Sequence, residues 1–321
     1  YMSETDQLFA DKEAWYRNNA VPHKLATRLL TAKEVADLAP GSLKIWRGGM
    51  FTENDGRAEP FLATPAMARA LQARGGMVFT NCAARGIETA AGRVCALVTE
   101  KGTIRTDTVV VAGGYWSRAF LRNAGIKFPQ LGVVNSVMRT GPRDVGLKHT
   151  ISGGKYAVRR RLDGGYNITH NHFSVAELTP SHFSQFMKFR TLLRLERKGV
   201  KVKMGTRYVR ELIMRKRWNL GEISPFERWR ILDPKPYNGI LNEALSALQK
   251  DFPAFQGIEV AERWAGMIDA TPDAVPVIDA IAKIPGLFVA SGFSGHGFGL
   301  APGAGKLMAE IVTGEKPCVD P

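Results

Sequence analysis

The 321 residues are enough for one large domain or two ordinary ones, and a hydrophobic fraction of 45% can fill a core. No run of about eighteen apolar residues occurs, which excludes a spanning hydrophobic helix. The net charge of +14 is concentrated in one segment, and the three cysteines, Cys82, Cys95 and Cys318, match no zinc or redox spacing. Free thiols in a reducing cytosol are therefore expected, with no metal.

The opening Tyr1-Met2-Ser3-Glu4-Thr5-Asp6 is polar and acidic, unlike a signal or transit peptide. It starts without Met, so a processed or truncated piece is expected. Asp11 to Asn19 reads as helix. Thr31 followed by Glu34 predicts a capping box and a second helix, which Leu38-Ala39-Pro40-Gly41 stops. Apolar residues at helical spacing from Pro65 to Arg74 predict a third, ended by Gly75-Gly76. The period then changes. Met77-Val78-Phe79-Thr80, Val94 to Thr99 and Gly102 to Arg105 read as strands. The β-branched run Thr108 to Ala112 suits a strand buried on both faces of a parallel sheet. It ends in Gly113-Gly114, with a helix expected from Trp116 to Ala124.

Residues 130–172 alternate as strands, with a hairpin turn at Asp163-Gly164-Gly165. Residues 175–250 read as mainly helical and carry the charge: twelve Lys and Arg against Glu196 and Glu211 between Lys188 and Arg217. This basic segment, 187–218, is either a solvated face or a contact with an anionic membrane surface, an acidic partner or nucleic acid. No nucleic-acid fold signature accompanies it, so no specific nucleic acid is expected. Ile284 to Ala290 is a further buried strand, and Pro302 to Thr313 a final helix ended by Gly314.

Three segments carry chemistry. Ser291 to Gly305 is strand, glycine-rich loop and helix, where backbone can approach a ligand closely and free N–H groups favour an electron-rich group. Thr108 to Arg118 is strand, glycine pair and helix, which permits ligand approach at the carboxyl edge of a sheet. Trp264 to Ile278 holds two prolines and suits a fixed loop between domains. Each alone is equally compatible with a tight turn.

Taken together, Gly113-Gly114-Tyr115-Trp116-Ser117, Trp264-Ala265-Gly266, Thr271-Pro272-Asp273, Pro276-Val277-Ile278 and Gly292-Phe293-Ser294-Gly295-His296-Gly297-Phe298-Gly299 resemble the D-amino-acid oxidase superfamily of FAD-dependent oxidoreductases. The resemblance is to its glycine oxidase, sarcosine oxidase and opine or D-amino-acid dehydrogenase branches, and it spans nearly the whole chain. It implies an α/β fold: an incomplete doubly wound FAD-binding domain over 60–120 and 283–321, and a substrate domain with antiparallel sheet and helices over 1–59 and 121–282.

The implied activity is oxidation of a C–N bond in a D-amino acid or secondary amine such as an opine, by hydride transfer to FAD and hydrolysis of the imine. The resemblance places Gly295, His296, Gly297, Phe298, Gly299 and Leu300 along the isoalloxazine ring, with backbone N–H groups stabilising negative charge there. His296 and Phe298 would be the residues nearest the chemistry. Ala84 would meet the adenine, and Gly113, Gly114 and Trp116 the ribose and diphosphate region.

Two departures from the family pattern bear on these expectations. No strand–Gly-x-Gly-x-x-Gly–helix unit is present, so FAD binding is expected to be weak or absent unless a longer chain or a partner subunit supplies that unit. Where the glycine-oxidase-like members place an Arg after Trp-x-Gly to clamp a carboxylate, this chain has Met267, Ile268 and Asp269. The anchor must then come from elsewhere: Arg139, Arg159 or Arg160, or His170 or His172, with Asp269 available for a cationic amine. The alternative function is a non-catalytic subunit whose basic segment binds a partner or an anionic surface. A nicotinamide enzyme lacks any supporting fingerprint. The expected location is cytoplasmic, with at most peripheral contact on the inner membrane face.

Overall fold

The computed structural model describes residues 1–196 and 199–319, so Arg197 and Lys198 of the basic segment lie outside the described residues. Contacts divide the chain into two units. The first is Tyr1–Val78, Ser136–Phe173 and Lys235–Ala265; the second is Phe79–Asn135, Ser174–Pro234 and Gly266–Pro321. Both are discontinuous in sequence.

In the first unit, the strand Gly48–Thr52 lies between Met2–Ser3 and Thr27–Thr31, antiparallel to both. Helix Ala32–Leu38 follows directly. Thr31 Oγ1 accepts from the Glu34 N–H and the Glu34 carboxylate accepts from the Thr31 N–H at 2.8 Å, the capping box that the spacing predicts. The first helix begins at Asp6, five residues before its predicted start, because Thr5 caps it. Strands Tyr156–Arg160 and Tyr166–His170 form the expected hairpin about the turn at Asp163 to Gly165. Their alternation sends Tyr156, Val158, Tyr166 and Ile168 into one core with Leu241, Ala244 and Leu248 of helix Asn238–Asp251. The buried Tyr156 hydroxyl is satisfied by donating to Asp251 Oδ2 at 2.9 Å. The helix predicted over Pro65 to Arg74 spans Pro60–Ala73, since Pro60 suits its first position.

The second unit carries an antiparallel meander, Ala84–Ala90, Arg93–Thr99 and Gly102–Arg105. Beside it in sequence lies a three-stranded sheet in which Leu287–Ser291 pairs in parallel with Val109–Val111 and antiparallel with Val277–Ala280. Val94, Val109, Val111, Leu121, Leu287 and Val289 belong to its core.

Four sequence expectations need correction. Met77 to Thr80 forms no strand: β-propensity does not suffice without a ladder partner, and the segment's Met77 and Phe79 are exposed. Val110 is 41% exposed, so the Val109–Val111 strand is buried on one face only. The stretch expected to be mainly helical holds two strands, Ser174–Leu178 and Val200–Met204, paired in parallel; the Val-Lys-Val-Lys-Met alternation has the period of two that a strand needs. The last helix starts at Gly297, not Pro302, so Pro302 lies inside it as its sixth residue, where it leaves the Phe298 carbonyl without an i→i−4 donor. Among the described residues no helix is long and apolar enough to cross a membrane.

Candidate functional site

Strands Val109–Val111 and Leu287–Ser291 run parallel with Val111 opposite Val289, so both chains leave the sheet at one edge. Gly113-Gly114 and Ser291-Gly292 emerge there together. Ser291 Oγ donates to the Gly114 carbonyl at 3.1 Å, and Gln130 Nε2 donates to the same carbonyl at 3.0 Å. Gln130 Nε2 also reaches Asp269 Oδ2 at 2.9 Å, and that oxygen accepts from the Gly292 N–H at 2.7 Å. A buried polar node thus ties three sequence motifs together.

The turn beyond is left-handed at Gly292 (φ +83°), Ser294 (φ +51°) and Gly295 (φ +89°). Ser294 holds this conformation because its N–H donates to the Asp269 carbonyl at 2.9 Å and its hydroxyl to the Gly292 carbonyl at 3.1 Å. Helix Gly297–Thr313 then begins behind His296 with no side-chain cap. The first N–H groups of a helix lack intrahelical acceptors and carry partial positive charge, so those of Gly297, Phe298 and Gly299 suit an electron-rich ligand edge. A side chain at Gly299 would meet nothing within 4 Å, which leaves the approach open.

A cavity of about 500 Å³ lies in the same unit, lined by Ala84, Leu97, Val111, Gly113, Trp116 and Phe226 among others. Its aromatic wall is fixed by edge-to-face contacts of Phe226 with Trp116 and with Trp218, both at 5.3 Å. Two ion pairs brace it. Arg85 grips Glu227 through Nε and Nη2 at 2.9 and 2.8 Å, and Arg230 Nη1 donates to Glu100 Oε1 at 2.6 Å. Arg85 holds the Glu227 carboxyl down at about 2, and Arg230, followed by the Ala83 N–H, does the same for Glu100, against an ordinary value of 4.5.

Folded values below unfolded ones mean stabilisation that is present above about pH 4.5 and lost as pH falls toward 2. Thermal melts between pH 7 and pH 2 should therefore show stability falling over that window. Glu227→Gln should lower stability at pH 7 and flatten the pH dependence; an unchanged acid limb would contradict the assignment.

Of the residues expected to hold a cofactor, Ala84, Gly113 and Trp116 line the cavity. Gly114 is bonded through its carbonyl, and Gly295, His296, Phe298, Gly299 and Leu300 present exposed positions at the helix start. The candidate substrate groups are differently engaged. Asp269 Oδ2 accepts from Gly292 and Gln130, with the Ser291 hydroxyl 3.2 Å away shared between it and the Gly114 carbonyl, rather than standing free for an amine. In the first unit, Arg159 forks onto Glu59 at 3.0 and 3.1 Å, and Arg139 donates to Glu262 at 2.8 Å. His170 is buried, with Nδ1 accepting from the His172 N–H at 3.1 Å. Gln130, Arg85, Glu227 and Phe226 carry no motif that marks them for the site in the sequence, and Ser291 is marked there only as the start of the glycine-rich segment. Only Ser224-Pro225-Phe226-Glu227 had a local signal, as a capping box.

A family model described as FAD dependent oxidoreductase matches residues 1–311. The chain belongs to this family. FAD is the family's cofactor, and the mostly apolar cavity and glycine-lined edge described above fit a planar heteroaromatic group with an electron-rich rim. L-amino acid deaminase from Proteus myxofaciens, solved in complex with anthranilate, superposes with a TM-score of 0.95 at 30% identity, covering 100% of this chain and 72% of that one. The L-amino acid deaminase from Proteus vulgaris gives a TM-score of 0.93 at 30% identity, covering 99% and 75%. Glycine oxidase of Bacillus licheniformis is 24% identical over 288 residues, 89% of this chain and 62% of its own length. D-amino acid dehydrogenase of Rhizobium johnstonii is 24% identical over 273 residues, 85% of this chain and 53% of its own length. The chain therefore spans only about half to three fifths of these two FAD-family relatives.

Proposed function

We propose that the protein oxidises the C–N bond of an amino acid or secondary amine, and that Ala84, Gly113, Gly114, Trp116 and the run Gly295 to Leu300 bind its FAD. The observation that carries this reading is the meeting of Gly114 and Gly292 at one sheet edge, in front of the uncapped start of helix Gly297–Thr313. When bound, FAD supplies a two-electron acceptor for the substrate's α C–H bond. The chain's own part is positional and electrostatic. The N–H groups of Gly297, Phe298 and Gly299 stabilise negative charge that develops at their rim. Phe298 and Leu300, half-exposed, give an apolar surface that excludes water from the reacting carbon. The imine left after oxidation hydrolyses in water to a carbonyl compound, an oxo acid where the substrate is an α-amino acid, with release of ammonia or an amine, which needs no protein base.

The relatives named above act, by their names, on glycine, D-amino acids or L-amino acids, which supports an amino acid substrate without choosing its hand. The test is an FAD titration followed by visible absorbance, then turnover with paired D- and L-amino acids, sarcosine and opines. Saturable binding with a perturbed flavin spectrum and turnover of one amine class is expected. Failure of FAD to bind, or binding without oxidation of any amine, would overturn the reading.

The basic segment supports contact with an anionic membrane surface on the cytoplasmic side. Helix Pro180–Leu195 exposes Phe186, Met187 and Leu195, and helix Thr206–Ile213 exposes Val209, Leu212 and Ile213. Lysines and arginines flank both, the composition of an interfacial helix. Co-sedimentation with vesicles of anionic but not neutral lipid, reduced by salt, is the expected result; equal pelleting with both would count against it.

A further inference from the structure

We propose that Asp269 and Gln130 are positioning residues: together they clamp the Gly292–Gly295 turn to Gly114 and so aim the helix-start N–H groups at the cofactor. This rests on the reading of Gly114 and the run Gly295 to Leu300 as FAD-binding backbone.

Gln130 is 1% exposed, and both ends of its side-chain amide and its main-chain carbonyl are hydrogen-bonded. Its Oε1 accepts from the Arg118 N–H at 3.2 Å, and its main-chain carbonyl accepts from Gln185 Nε2 at 2.9 Å. Its Nε2 serves Gly114 O at 3.0 Å, Asp269 Oδ2 at 2.9 Å and Ser291 Oγ at 3.2 Å. This fixes the amide's orientation, since only its nitrogen can face a carbonyl and a carboxylate.

Asp269 grips the turn at two points. Its side chain accepts from the Gly292 N–H at 2.7 Å, and its main-chain carbonyl accepts from the Ser294 N–H at 2.9 Å. Among the described residues no Lys or Arg pairs with it; its charge is met only by neutral N–H and O–H donors. A half-buried carboxylate without a cation is an expensive way to pack a loop, because a neutral group of similar shape would cost less. It is an effective way to hold one geometry, because bonds to a charged acceptor are shorter and stronger. The clamp holds a turn with three left-handed residues, one of them Ser294, in register with the Gly114 strand end. Without it the turn is free to relax, and the N–H groups of the helix start lose their aim.

The experiment compares FAD affinity, flavin absorbance and cofactor-free melting temperature for the wild type, Asp269→Ala, Gln130→Glu and the double variant Gln130→Glu/Asp269→Asn. Asp269→Ala is expected to weaken FAD binding at least tenfold and to move the flavin bands. Its cofactor-free melting temperature should fall too, because the buried Gln130 and Gly292 donors lose their acceptor, so the flavin bands and the double variant carry the test. Gln130→Glu sets two carboxylates against each other and should weaken binding further. The double variant removes the opposing carboxylate, so it should bind better than Gln130→Glu alone, while the carboxylate introduced at position 130 still faces the Gly114 carbonyl and keeps affinity below wild type. If wild type binds FAD and all three variants match it in affinity and spectrum, the clamp is wrong while the cofactor reading stands. If the double variant binds FAD no better than Gln130→Glu, the two side chains are not coupled and the pair does not act as a clamp. If wild type itself takes up no FAD, the reading beneath the proposal falls first. Should Asp269→Ala fail to fold, the Gln130→Glu and double variants still decide.

Discussion

Replacing Gly292 by alanine is expected to remove most FAD binding. Gly292 sits at φ +83°, and a Cβ built there would lie 2.4 Å from Thr271 Cγ2. Thr271 is buried and held, its hydroxyl donating to the Val275 carbonyl at 2.8 Å, so it has little room to yield. A left-handed non-glycine residue costs about 1–2 kcal/mol, and overpacking adds about 1–3 kcal/mol. The turn can escape this cost only by leaving its observed conformation. If the whole penalty falls on binding, affinity drops by roughly 30-fold or more. Gly299→Ala is the matched control. It meets open space in the protein, and alanine is favoured over glycine in a helix by about 1 kcal/mol. Its melting temperature should hold or rise, so any loss of flavin binding there reports contact with the cofactor. Isothermal titration and thermal melts of both variants test the pair. Equal FAD affinity in Gly292→Ala and wild type would show that the turn does not face the cofactor.

Leu287→Ala is expected to cause the largest loss of stability. Leu287 is 0% exposed and opens the strand that carries the turn, packed in one core with Val94, Leu121 and Val289. The strand is paired on both sides, with Val109–Val111 and Val277–Ala280, so the surroundings are poorly able to collapse into the space left. A fall of about 3 kcal/mol, or roughly 6–12 °C in melting temperature, should appear by denaturant titration and calorimetry. A change below about 1 kcal/mol would mean that the site relaxes around the missing atoms. Flavin affinity should fall only as far as the strand end loosens.

Much of this was legible because it is local. The Thr31–Glu34 box closes over three residues, and the Asp163-Gly164-Gly165 turn joins two neighbouring strands. The strand over Val109 to Val111 shows in its β-branched side chains, and the glycines past each strand end mark where backbone turns sharply. The motif spacing pointed to the family, which the match over residues 1–311 bears out. The errors were local signals without their context. Met77 to Thr80 has strand composition but no neighbour to pair with among the described residues, and Val200 to Met204 alternates inside a stretch dominated by helix formers.

What the amino-acid sequence by itself determined is the family, the strands that end in glycine and the presence of a helix after the second, because each rests on short motifs of residues close together in the chain; where that helix starts it did not determine. The tertiary structure alone decided how those pieces are held. Gln130 meets Gly114, Asp269 and Ser291 across separations of 16, 139 and 161 residues. Arg85 meets Glu227 across 142. No periodicity or spacing encodes such meetings: a glutamine before a strand or an aspartate after Trp-x-Gly is chemically ambiguous until folding sets its partners. The sequence leaves the Asp269 carboxylate free for a cationic substrate because the donors that face it, Ser291, Gly292 and Gln130, lie 22, 23 and 139 residues away. The parallel pairing of two distant strands is what brings Gly292 and Gly114 together beneath it, and hydrogen-bond geometry then spends the charge on the protein's own backbone.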